Sequence, residues 1–118
     1  MNEVDAAVRV TLVRARGAPA QQRALDDWLK TAPAPRAVVA EGAFSALAAP
    51  PEVRIERLAA GCLCCVGLTP LRVTITRTLR AVRPRALLLL VAADEHLPRL
   101  RALLASGELG ALRLDPAE

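Results

Sequence analysis

Apolar and polar positions alternate from Val8 to Val13, with Val8, Val10 and Leu12 on one side and Arg9 and Thr11 on the other. That period belongs to a half-buried strand. A turn over Arg14–Ala18 contains Gly17, and Pro19 suits the first position of a helix, where its missing N–H would have no partner in any case. Leu25, Trp28 and Leu29 form an apolar stripe opposite Asp26, Asp27 and Lys30, carrying this helix to about Thr31, and Pro33 and Pro35 end it. Arg36–Ala40 predicts a short buried strand. Glu41–Pro51, rich in Ala and Pro, predicts a loop or a single helical turn with Phe44 and Leu47 turned inward. Val53, Ile55 and Arg57 alternate with Arg54, Glu56 and Leu58, a strand whose inward face the pattern leaves open.

Thr69-Pro70 predicts the next helix start, an N-cap hydroxyl followed by proline at the first helical position. Leu71, Ile75, Leu79 and Val82 recur at helical spacing with Arg72, Arg80 and Arg83 off that face, and Pro84 closes the element. Ala86–Ala93 is almost uniformly aliphatic, as expected of a central strand buried on both faces. Asp94 or Glu95 opens a third helix with the stripe Leu97, Leu100, Leu103 and Leu104, and Gly107 is its expected C-cap. Ala111–Leu114 predicts a last strand. The order β-α-β-β-α-β-α-β implies an α/β fold: one domain over residues 1–118, three layers, a mostly parallel sheet of about five strands, and helices on both faces.

With 118 residues, 53% of them hydrophobic, the chain can bury a core without crosslinks. One Trp, one Phe and no Tyr leave that core to Leu, Val, Ile and Ala. The net charge of +4 comes from arginines scattered along every segment, which read as solvated helix faces and loop ends. With no aromatic platform for bases, nucleic acid is not an expected partner. The polar, acidic N-terminus has no signal-peptide pattern, and the longest apolar run is far short of a membrane span. The expected setting is the cytoplasm, where cysteines stay reduced and a cluster of thiols points to metal or redox chemistry.

All three cysteines fall within Gly61-Cys62-Leu63-Cys64-Cys65. Zinc prefers four tetrahedral ligands and binds thiolate strongly. Cys62 and Cys64 share a side in an extended segment, and Cys65 joins them if the backbone turns, which Gly61 and Gly67 permit. Cys62, Cys64 and Cys65 are therefore the candidate metal ligands. The fourth position is open to Glu41, His96, water, a second protein or a second subunit. Two other readings are small buried hydrophobes and a redox pair of Cys62 with Cys64 or Cys65. In a further reading the fold is a partner-binding regulatory scaffold.

The chain resembles the nucleotide-binding domain of the CobW-type metallochaperone GTPases, relatives of HypB and UreG, from its first strand to Leu112-Arg113-Leu114-Asp115. Gly61-Cys62-Leu63-Cys64-Cys65 matches that family's Gly-Cys-x-Cys-Cys loop in full, and Val38-Val39-Ala40-Glu41 is similar to the strand entering its Asn-Glu motif. The resemblance implies a P-loop NTPase-like fold and a cysteine loop that binds zinc or another thiophilic transition metal, with Glu41 carried over beside Cys62, Cys64 and Cys65. The GTPase motifs depart from the family. Pro19-Ala20-Gln21-Gln22 stands where Gly-Lys-Thr-Thr belongs, and Leu90-Val91-Ala92-Ala93 where Glu-Thr-Thr-Gly belongs. Proline removes a phosphate-facing donor, Ala20 the charge, and Gln21 the magnesium ligand. The expectation is a metal-handling pseudo-GTPase that is not an enzyme and uses neither GTP nor Mg²⁺. Its expected partners are a metal ion and a client metalloprotein or CobW-type relative.

Overall fold

The computed structural model describes residues 7–42, 47–58, 68–92 and 94–115. Strands β1 (Val8–Arg14), β2 (Arg36–Glu41), β3 (Arg54–Leu58), β4 (Ala86–Val91) and β5 (Leu112–Leu114) and helices α1 (Ala18–Leu29), α2 (Thr69–Val82) and α3 (Leu97–Ala105) follow one another as β1-α1-β2-β3-α2-β4-α3-β5, the order the sequence pattern predicts. All four strand pairings are parallel, in the spatial order β3-β2-β4-β1-β5. The aliphatic run is central: every residue of β4 is buried, between β1 on one side and β2 on the other.

Because side chains alternate along a strand, β2 and β4 each feed two cores. Ala37, Val39, Leu87, Leu89 and Val91 pack with Leu71 and Ile75 of α2 and Leu100, Leu103 and Leu104 of α3. Val38, Ala40, Ala86, Leu88 and Leu90 pack with Leu25 and Trp28 of α1 and with Leu47 and Val53. The three-layer arrangement follows, α1 on one face and α2 with α3 on the other. Burial of each such leucine contributes about 1.5–3 kcal/mol. Edge strand β3 serves both faces, Val53 just before it joining the α1 core and Leu58 the other. Leu47 is buried as expected, while Phe44 lies outside the described residues.

Helix boundaries differ from the sequence reading in three places. The N-cap of α2 is Leu68, held in left-handed conformation at φ 60°, so Thr69 is already helical. α3 is capped by His96 rather than opened by Asp94 or Glu95, although the Leu97 N–H donates back to Asp94 O at 3.0 Å. Its C-cap is Ser106, and Gly107 follows at φ 87°. In α2, Thr74 and Thr78 are buried with Leu71 and Ile75, whereas Leu79 and Val82 are only partly covered. A helix lying against a sheet buries a wider arc than one stripe, and the Thr78 hydroxyl is satisfied by donating to Thr74 O at 2.8 Å. Among the described residues no helix is long and apolar enough to cross a membrane.

Candidate functional site

Parallel strands put all their carboxyl ends on one edge of the sheet, and in open α/β folds ligand sites lie on that edge, where neighbouring strands send their chains to opposite faces. Here those neighbours are β1, which leads to α1, and β4, which leads to α3. Beside them Leu12, Val13, Arg14, Asp94, Leu97 and Arg101 line a cleft of about 270 Å³. Of these, Arg14 Nε lies 2.6 Å from Asp94 Oδ1, with both side chains more than half exposed. An ion pair this wet holds little energy and opens readily.

Next to the cleft, side chains tie three strand ends together. The Ala15 N–H donates to Val91 O at 2.8 Å, extending the β1–β4 ladder by one rung. The chain then turns at Gly17, whose φ of 86° suits glycine, into α1 with Pro19 in its first turn. One turn into the helix, Gln21 is 1% exposed and its Nε2 donates to Ala15 O at 3.2 Å and to Glu41 O at 3.0 Å. Glu41 ends β2 and is 7% exposed, the only buried acid among the described residues; its Oε1 accepts from the Ala92 N–H at 2.9 Å, just past the end of β4. Gly42, at φ 76°, donates its N–H to Leu58 O at 2.8 Å.

The β2–β3 register pairs Glu41 with Leu58, so the segment carrying the cysteines leaves the sheet beside Glu41. Cys62, Cys64 and Cys65, with Gly61 and Gly67, lie outside the described residues. Among the described residues, no group of three or more His, Cys, Asp or Glu side chains is disposed to hold a metal. Glu41 is the buried carboxylate at this end of β2, and carboxylate oxygen is a donor that zinc accepts. His96 stands at the start of α3 beyond the end of β4, its Nε2 3.3 Å from Glu95 Oε2.

Sequence reasoning placed Gln21 at the degenerate turn but missed its role as a clip; a polar side chain on the inward side of α1, four residues before Leu25, was the available signal. Arg101 was not singled out, because its place in the same cleft lining as Arg14 depends on how α3 packs on the sheet. No family model, curated protein or solved structure matches the chain.

Proposed function

We propose that this protein is a metal-binding, CobW-like pseudo-GTPase that handles or delivers zinc, or a similar thiophilic ion, through Cys62, Cys64 and Cys65 with Glu41, without hydrolysing GTP. One observation carries the reading: the segment that holds every cysteine of the chain departs from β3 at the residue paired with Glu41, the only buried acid among the described residues. Three thiolates and a carboxylate are a donor set that zinc accepts. Supplied largely by one segment, such a set suits an ion that is cargo rather than a permanent staple. The loss of nucleotide chemistry is supported at α1. The resemblance gives the position of Gln21 to a magnesium-ligating hydroxyl, whereas the Gln21 amide donates to two main-chain carbonyls within the sheet edge. The partner for such cargo is a client metalloprotein or a CobW-type relative, met in the cytoplasm.

Zinc added to the reduced protein, followed by thiolate-to-metal absorbance or competition with a chelator, is expected to saturate at a single tight equivalent. Cys64→Ser should abolish it. Glu41→Gln keeps an acceptor for Ala92 but removes the charge, and should weaken binding by roughly tenfold or more. A wild-type protein without a tight equivalent overturns the proposal. GTP with Mg²⁺ should leave the melting temperature unchanged; a rise would restore a nucleotide role.

A further inference from the structure

The inward side of α2 carries Leu71, Thr74, Ile75 and Thr78. Its outward side is different. Arg72, Val73, Thr76, Arg77, Arg80 and Ala81 line a groove of about 560 Å³. These residues lie on two adjacent rows of the helix surface, Arg72–Thr76–Arg80 and Val73–Arg77–Ala81, each stepping by four residues. The trough between two such rows is what an incoming helix fills with a row of its own. Val73 is 54% exposed, the one large hydrophobic side chain among the described residues left mostly in water. The small side chains of Thr76 and Ala81 leave room around it.

The two helices on this side carry charge of one sign. α2 and α3 together contain five arginines and no acidic residue, whereas α1 on the opposite face has Arg23 against Asp26 and Asp27. Acids from neighbouring segments answer only part of it. Arg72 donates to Glu108 at 2.8 Å, Arg77 stands 3.6 Å from Glu56, and Arg80 has no acidic partner among the described residues. Exposed pairs of this kind exchange at little cost.

We infer that the outer face of α2 is a docking groove for an acidic amphipathic helix of a partner protein. Its apolar row lies along Val73 and Ala81, and its carboxylates reach Arg77 and Arg80. Nucleic acid would use the charge but set phosphates against Val73, and the face has no aromatic ring on which to stack a base. A membrane surface needs a broad face of bulky apolar residues, and here Val73 stands alone. The groove spans little more than two helical turns, about 13 Å, which belongs to the small, transient class of interface. α2 begins directly after the cysteine-bearing segment, so the partner docks along the helix leading out of it. The inference does not depend on metal binding.

The probe is a short fluorescein-labelled helical peptide with Leu and Ala along one row and Glu on both flanks, followed by anisotropy. Controls are the same peptide with Lys for Glu, a single-stranded oligonucleotide, and phosphatidylserine vesicles. The Glu peptide is expected to bind, more weakly as salt rises, and the Lys peptide not to bind. The double change Arg77→Glu with Arg80→Glu should weaken binding at least about tenfold, and Val73→Ser should weaken it at every salt concentration. All three positions face solvent, so melting temperatures should stay close to wild type, and zinc titration of these variants should be unaltered, which separates this inference from the metal reading. Absence of Glu-peptide binding overturns it, as does undiminished binding by the double variant. So does tighter binding of the oligonucleotide or the vesicles that is lost in the same variant.

Discussion

On the α2 and α3 side of the sheet, the buried polar side chains among the described residues are Thr74, Thr78 and Glu41, which follows Ala37 and Val39 on that face of β2. The Thr78 hydroxyl bonds to Thr74 O, and Glu41 Oε1 accepts from the Ala92 N–H. On the α1 side, Gln21 Oε1, Trp28 Nε1 and Arg36 Nε are buried without a partner, the only such side-chain atoms among the described residues. An unpaired buried polar group costs about 1–3 kcal/mol, so the two layers treat the same sheet very differently. One leaves none of the polar side-chain atoms it buries without a partner among the described residues, and its helices are basic without. The other accepts polar residues in its interior, and the same layer supplies the Gln21 clip beneath the carboxyl edge. Departures from good packing concentrate where a residue serves something other than packing, and among the described residues they fall on the α1 side, where Gln21 also joins the ends of β1 and β2.

Neighbouring leucines of β4 give the largest test of this contrast, since Leu88 faces α1 and Leu89 faces α2 and α3. Truncation of either to Ala should cost about 2–5 kcal/mol, with Leu89→Ala the more costly because two helices close over it. Urea unfolding of both variants decides this, and the reverse order would refute the contrast. Trp28→Phe should be milder. It gives up some buried ring surface but also removes the unpaired N–H, for a net cost below about 1 kcal/mol; a loss near 3 kcal/mol would show that the indole has a partner after all.

The smallest effect concerns Glu52. The hydrogen bond from Arg36 Nη2, at 2.5 Å, is the main cause that holds its carboxyl below the ordinary value of 4.5. Because the folded value is the lower one, its slight stabilisation is complete above the ordinary carboxylate range and lost as pH falls through the folded value. Glu52→Gln should therefore lower stability slightly at neutral pH and match wild type in acid; an equal offset at both pH values would assign the effect to packing.

Strand and helix order was readable because an unbroken aliphatic run and a 3.6-residue period are local signals. Ala86–Val91 and the Leu97, Leu100, Leu103, Leu104 stripe carry theirs within a few residues. Helix starts were read less well. Leu68 takes a left-handed conformation that its side chain does not favour, so Thr69-Pro70 gave no warning that the cap lay one residue earlier. Long-range polar pairing left no trace in the pattern either. Arg9 and Thr11 were placed on the polar side of β1, but nothing local pointed to Asp115, which accepts from Arg9 Nε at 3.0 Å and from the Thr11 hydroxyl at 2.6 Å. For the site, Glu41 was read from its likeness to a family motif. Its burial and its bond to Ala92 depend on β2 lying beside β4, a matter of topology.

That bond has a consequence for exchange with solvent. The Ala92 amide lies just past the last residue of β4, where main-chain partners run out, and its hydrogen is held by the Glu41 side chain. Its exchange with deuterium is therefore gated by a carboxylate rather than by the sheet. Whatever draws Glu41 away, a captured cation included, would quicken exchange at Ala92 while leaving β4 protected, so one peptide hydrogen reports how that acid is being used.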